Sequence, residues 1–269
     1  MRHSEFSRLV DVIEKLRDPK DGCPWDLKQT HDSLLKYLIE ESYEFLHAAE
    51  AKDDEKMCEE LGDVLLQIVL HSVVARQRGT FTIDDVCKGI ADKIVRRHPH
   101  VFKEVNKDIT ADGVVEKWQE IKKEEKGSNS VHYRIDPTYL TFPALFSANK
   151  IGKKTNEIKF DWKDYKDVAG VVEGEWGELK EELKQDIIQN KDRIEDELGD
   201  ILFSLAQLGR HLDIDPENAL RRANKKFLRR FNKMEELIAE AGENLEQMNQ
   251  MEMDVYWGKV KKLEKAQKA

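Results

Sequence analysis

The chain has 269 residues, with 45 Lys and Arg against 54 Asp and Glu. Its formal net charge is therefore −9, and charged residues make up 37% of the chain against 39% apolar ones. No apolar run reaches the roughly 18 residues that a membrane-spanning helix needs, and so acidic a balance argues against nucleic-acid polymers, which call for a basic footprint. A single small anion brought in with metal ions stays compatible with it.

Met1 to Glu5 leads into a charged amphipathic segment and lacks the apolar stretch of a secretory signal. Cys23, Cys58 and Cys87 form no CxxC pair, which points to a reducing, cytoplasmic setting. With 6 Pro and 14 Gly, and with helix formers dominant, the composition predicts an all-α fold.

In chain order, Glu5 to Arg17 is amphipathic, with Phe6, Leu9, Val10, Ile13 and Leu16 on one face. Asp32 and Ser33 offer an N-cap for a helix through about Ala51. Asp53 and Asp54 offer another for a helix running to about Arg78, which Gly79 ends. Thr82 to Asp85 opens the helix that carries Lys93 and Arg97, and a last helix holds Trp118. The polar stretch Glu124 to Ser130, extending to about Pro137, breaks the helical period. Pro143 begins the first helix of a second half that repeats the plan, with a longer connection between its two acidic helices.

That second half is a repeat of the first. Glu60-Leu61-Gly62-Asp63-Val64-Leu65 recurs as Glu197-Leu198-Gly199-Asp200-Ile201-Leu202, an offset of 137. Glu41 and Glu44 recur as Glu175 and Glu178, an offset of 134, and Lys93 with Arg96 and Arg97 as Lys226 with Arg229 and Arg230, an offset of 133. Pro24-Trp25-Asp26 echoes in Phe160-Asp161-Trp162, and Trp118 in Trp257. Five features in one order with small drifts are a tandem duplication with loop-length changes. The expected organisation is a first repeat over 1–123, a linker over 124–139 and a second repeat over 140–269, each of four to five helices.

Glu41 and Glu44, three apart, share a helix face, as do Glu60 and Asp63 on the next helix. A short connection packs the two helices antiparallel, so four carboxylates converge. Unscreened, they would repel one another; a hard divalent cation resolves the conflict, and oxygen-only ligation favours Mg²⁺, with Mn²⁺ or Ca²⁺ as substitutes. A lone ExxE in so charged a chain is an ordinary solvated face. Two such pairs on adjacent helices, repeated and each leading into an apolar run, point to metal sites. The expected ligands are Glu41, Glu44, Glu60 and Asp63, and then Glu175, Glu178, Glu197 and Asp200. Gly62 and Gly199, between the acids, point to close helix approach or ligand access, or to local packing alone.

Lys93 with Arg97, and Lys226 with Arg230, are candidate phosphate contacts, with ion pairs to surface acids as the plain alternative. Trp25 and Trp162 are candidates for lining a base pocket, while Trp118 and Trp257 either stack on a base or belong to the core. In His98-Pro99-His100 the proline prevents a helical ligand pair, and Glu44 to His47 is an ExxH without a counterpart in the second half, which weighs against a di-iron centre.

Glu40-Glu41-Ser42-Tyr43-Glu44 with Glu60-Leu61-Gly62-Asp63 resembles the EExxE…ExxD signature of MazG nucleoside triphosphate pyrophosphohydrolases. Cys23-Pro24-Trp25-Asp26, Arg96-Arg97-His98-Pro99-His100-Val101-Phe102 and Phe160-Asp161-Trp162 resemble its two-repeat bacterial members, so the likeness spans essentially the whole chain. It implies an all-α bundle shared between chains, as in a homodimer. It also implies Mg²⁺-dependent hydrolysis of NTPs or dNTPs at the α–β bond to a monophosphate and pyrophosphate. The eight acids would be metal ligands, Glu41, Glu60, Glu175 and Glu197 catalytic, Lys226 and Arg230 phosphate contacts, and Trp257 near the nucleotide. A carboxylate such as Glu41 or Glu175, or an outer acid such as Glu59 or Asp196, would activate the water. The signature's first acid is Glu40 in the first repeat but Gly174 in the second, which makes the second the slower one if that acid positions water. The alternatives are a non-catalytic nucleotide sensor and a narrow hydrolase of one noncanonical nucleotide such as dUTP.

Overall fold

The computed structural model describes residues 4–103, 109–125 and 135–266, and among them every regular element is helical. The chain divides into two compact units, Met1–Ser130 and Val131–Ala269. That division falls inside the expected 124–139 linker. The last helix of the first unit reaches Glu125 and a 3₁₀ turn opens at Pro137; 126–134 lie outside the described residues.

In the first unit, α1 (Ser4–Leu16), α3 (His31–Ala51) and α4 (Asp54–Gln77) bury a core of Ile13, Leu34, Val69, Leu70, Val73 and Val74, against which Phe6, Leu9 and Val10 of α1 pack. The one-turn α2 (Pro24–Leu27) precedes α3; α5 (Ile83–Arg97), the one-turn α6 (Pro99–Phe102) and α7 (Ala111–Glu125) follow α4. Thr30, not Asp32 or Ser33, caps α3. Its extended backbone lets its hydroxyl accept from the Ser33 amide (3.3 Å), while Ser33 Oγ accepts from the Thr30 amide (2.9 Å), a reciprocal capping box. Asp53 caps α4 and Thr82 caps α5, as their residue types predict.

Only Lys52 and Asp53 separate α3 from α4. Lys52 takes the left-handed conformation (φ 58°) that ends α3, an unfavourable one for a residue with a Cβ, and Asp53 starts the next helix at once. The tight reversal makes the two acidic helices antiparallel neighbours.

The second unit repeats the scheme in α8 (Ala144–Asn156), α9 (Tyr165–Glu182), α10 (Lys191–His211), α11 (Pro216–Glu240) and α12 (Gln250–Ala266). Pro143 sits at the N-cap of α8, one residue before its first turn. The connection between acidic helices lengthens to 183–190, and its Asn190 side chain donates to the Glu182 carboxylate at 2.5 Å. Met234, Ile238, Tyr256 and Val260 form a core between α11 and α12. A buried polar lock ties α8, the 160–162 loop and α10 together. Gln207, fully buried, donates to the Ala148 carbonyl (2.7 Å) and accepts from Arg210 Nε (2.8 Å), while Arg210 grips Asp161 at 2.5 and 2.7 Å. Gly152 makes room for it, since a Cβ there would stand 1.8 Å from Gln207 Oε1.

Candidate active site

In the first unit, α3 presents Glu41 and α4 presents Glu60 and Asp63, with carboxylate oxygens that all lie within 4.8 Å of one another. Glu60 is only 2% exposed, whereas Glu41 and Asp63 are half-buried. In the second unit α9 presents Glu175 and Glu178 and α10 presents Glu197, again within 4.8 Å. Six of the eight expected ligands are thus gathered. Glu44 and Asp200 stand at the rim, exposed, close enough to act on their neighbours' charge.

Burial pushes the Glu41 carboxyl up from its ordinary value, and the negative charges of Asp63, Glu44, Glu60 and Glu40 add to the shift. Burial does the same to Glu175, helped by Asp200, Glu178 and Glu197, and Glu197 is raised by burial and then by Glu178, Asp200, Glu182 and Asp196. In both units these are carboxylates crowded together without enough positive charge, an arrangement that a cation would relieve. The donor set is oxygen only, which suits a hard divalent cation.

A titration follows from those shifts. Protons and cation compete for the same oxygens, so Mg²⁺ affinity should fall as pH drops towards the raised carboxyl values, measurable by calorimetry without substrate. The metal-free protein should respond in the opposite sense. Carboxyls raised above 4.5 by burial and then by their neighbours' charge cost stability as pH climbs through their raised values, so acidification should relieve it.

One basic residue missed by the sequence analysis joins the first cluster. Lys56, one turn before Glu60, places Nζ 2.9 Å from the Glu60 carboxylate and 3.0 Å from Glu59. Its signal was legible as an i, i+4 pair. Lys56, Glu40, Tyr43, Glu44, His47 and Glu60 line an open cavity of about 510 Å³. In the second unit Arg193 holds the corresponding place before Glu197 but reaches Glu182, at 3.6 Å.

Gly62 and Gly199 do not mark a close helix approach. A Cβ at either would meet nothing within 4 Å, because both face open space beside the acids.

The basic residues are brought to a different set of partners. Arg96 and Arg97 converge on Glu125, and Arg229 and Arg230 on Glu264, so the ion-pair alternative is realised in both repeats. Lys226 borders a cleft with Arg222 and Arg229. None of Lys93, Arg97, Lys226 and Arg230 is among the groups that shift the clustered acids. Trp257 packs on Phe227 (ring centroids 5.3 Å) beside the α11–α12 core, and Trp118 meets His98 edge-on at 5.0 Å. Trp162 lines a cavity of about 370 Å³ with Phe160, Ile151 and Phe203, and Trp25 is half-exposed, edge-on to Tyr37.

The MazG nucleotide pyrophosphohydrolase domain matches this chain twice, over residues 29–102 and 164–235. The chain belongs to the MazG family. The two matches enclose the two carboxylate clusters and the basic segments after them. The nucleoside triphosphate pyrophosphohydrolase/pyrophosphatase MazG of Thermotoga maritima is 46% identical over 95% of each chain. The nucleoside triphosphate pyrophosphohydrolase of Escherichia coli K12 is 36% identical over 97% of this chain and 98% of its own. A crystal structure of a MazG-related protein from Thermotoga maritima is 30% identical with a TM-score of 0.38, covering 44% of this chain and 98% of that one. As a two-domain MazG chain, the protein is an enzyme of the class that hydrolyses phosphorus anhydrides. Among the described residues no helix is long and apolar enough to cross a membrane.

Proposed function

We propose that this chain hydrolyses nucleoside and deoxynucleoside triphosphates at the α–β bond, releasing a monophosphate and pyrophosphate, with Mg²⁺ as the physiological cation and Mn²⁺ as a substitute. The observation that carries the reading is the carboxylate cluster built twice, once inside each matched domain. A divalent cation, when bound, would screen the triphosphate from the carboxylates and make the α-phosphorus more electrophilic. Glu41, Glu44, Glu60 and Asp63 would hold it in the first unit, and Glu175, Glu178, Glu197 and Asp200 in the second.

The protein's own residues supply the rest. Glu41 and Glu175, whose carboxyls are raised, are suited to orient the attacking water and take its proton. Lys93 and Arg97, with Lys226 and Arg230, offset charge on the phosphates, and Trp257, half-buried beside Phe227, offers the nucleotide its remaining face. The reaction needs no covalent enzyme intermediate.

A homodimer is part of this reading. Leu35, Ile39 and Tyr43 form an exposed apolar stripe at i, i+4, i+8 on α3, and Leu198, Leu202 and Leu205 another on α10, which a second copy would cover. The three free cysteines agree with a cytoplasmic setting.

The test is pyrophosphate release with Mg²⁺ across the common triphosphates and dUTP, alongside calorimetric titration with Mg²⁺ alone. Release from several triphosphates, with Mg²⁺ bound in the absence of substrate, is expected. Nucleotide binding without release would make the protein a sensor, and release from dUTP alone would make it a narrow hydrolase.

A further inference from the structure

Glu125 and Glu264 belong to neither carboxylate cluster, yet each occupies the same place in its repeat. Each lies seven residues after a tryptophan, Trp118 or Trp257, near the end of the unit's last helix. Each accepts hydrogen bonds from two adjacent arginines on its two oxygens. Glu264 Oε1 accepts from Arg229 Nη2 at 2.8 Å, and Oε2 accepts from Arg230 Nε at 2.8 Å and Nη2 at 2.7 Å. Glu125 Oε1 accepts from Arg96 Nε at 2.7 Å, and Oε2 from Arg97 Nη2 at 2.5 Å.

Pairs this near the surface add little stability, since solvent screens them and ordering long side chains costs entropy. Arg229 is 64% exposed and Arg96 55%, while Arg230 and Arg97, at 23% and 24%, are more covered. A fold-stabilising role thus gives weak grounds for the second, exposed arginine that each clamp carries in both halves. Geometry offers a stronger one. Held along the Nε–Nη2 edge, Arg230 is fixed in its plane, with Nη1 outside that pairing. Two arginines on one carboxylate also keep a net charge of +1. Hydrogen bonds from Arg230 and Arg229 hold the Glu264 carboxyl down at about 2, so the clamp stays charged across the working pH range.

We infer that Glu264, and Glu125 in the first repeat, are positioning residues that aim the paired arginines at the triphosphate. The inference rests on the proposed reading that Arg230 contacts phosphate.

The test uses the full chain carrying Glu60→Gln, so that turnover reports the second repeat, and measures KM, kcat and the inhibition constant of pyrophosphate, a probe that carries phosphates alone. Glu264→Gln should raise KM and the pyrophosphate constant together by roughly tenfold while kcat changes much less. Glu264→Asp, which keeps the charge on a shorter arm, should fall between. Combined with Arg230→Ala, Glu264→Gln should add nothing, because its effect passes through that arginine. A lowered KM for Glu264→Gln would overturn the inference and make Glu264 a competitor that substrate displaces. An unchanged KM, or an equal increase with Arg230 already removed, would overturn it in favour of a plain helix clamp. If Arg230→Ala alone leaves KM and the pyrophosphate constant at their original values, the phosphate reading itself fails and takes the inference with it.

Discussion

Glu60→Gln is expected to lower turnover in the first repeat by roughly 100-fold or more, and Glu197→Gln to do the same in the second; the double variant should be inactive. Outer-shell partners of a metal commonly cost 10–100-fold when removed, and these residues would be ligands themselves. Glu60 is 2% exposed and its carboxylate lies within 4.8 Å of those of Glu41 and Asp63, so the substitution acts inside the cluster. Gln keeps the shape and still accepts from Lys56 while removing one charge from a crowded cluster. The metal-free melting temperature should therefore match or exceed that of the unsubstituted chain, which separates lost ligation from lost folding. Pyrophosphate release by each single variant also gives the share of activity that each repeat carries. Full activity in the double variant would sink the site assignment.

Arg210→Met is expected to destabilise the second unit by about 3–5 kcal/mol, the usual cost of removing one partner of a buried ion pair. The side chains of Arg210 and Asp161 are 7% and 9% exposed. Burial raises the Asp161 carboxyl, but hydrogen bonds from Arg210 and His211 outweigh it and the net shift is downward. Such a group adds stability above its unfolded pKa and loses it as pH falls through the lowered folded value. Without Arg210 the carboxylate keeps His211, at 3.0 Å, and the Trp162 amide, at 2.9 Å, but no full positive charge fixed beside it, and Gln207 loses the donor to its Oε1. Adding Asp161→Asn should recover part of the loss, since the stranded charge is then gone. Chemical denaturation of both variants is the measurement; equal losses in the single and double variants would show that the charge pair is not what matters. Because Gln207 and Arg210 belong to the helix that carries Glu197, second-repeat turnover should fall with stability, while first-repeat turnover persists.

Much of this protein was determined by its sequence. Helix-forming composition and i, i+3 or i, i+4 spacing are local properties, and they place Glu41 and Glu44 on one face and Glu60 and Asp63 on another without any tertiary information. The repeat adds an internal comparison that raises these acids above the general acidity of the chain. Caps were legible to within a few residues. Thr30 was missed because Asp32 and Ser33 have the same capping chemistry, and only backbone geometry separates the N-cap from its partner three residues on.

The tertiary structure decided what depends on residues far apart in the chain. Gly62 and Gly199 face open space, not a packed helix. Trp257 settles against Phe227, and Arg97 and Arg230 are gripped by Glu125 and Glu264. No period in the sequence announces such pairings, because the partners lie 28 and 34 residues apart and meet only when separate helices pack. The acid surplus that first set the chain apart is likewise divided by packing. Some carboxylates crowd into two clusters between neighbouring helices, while Asp161, Glu125 and Glu264 pair with arginines. Net charge sums these roles, and only the folded chain separates them.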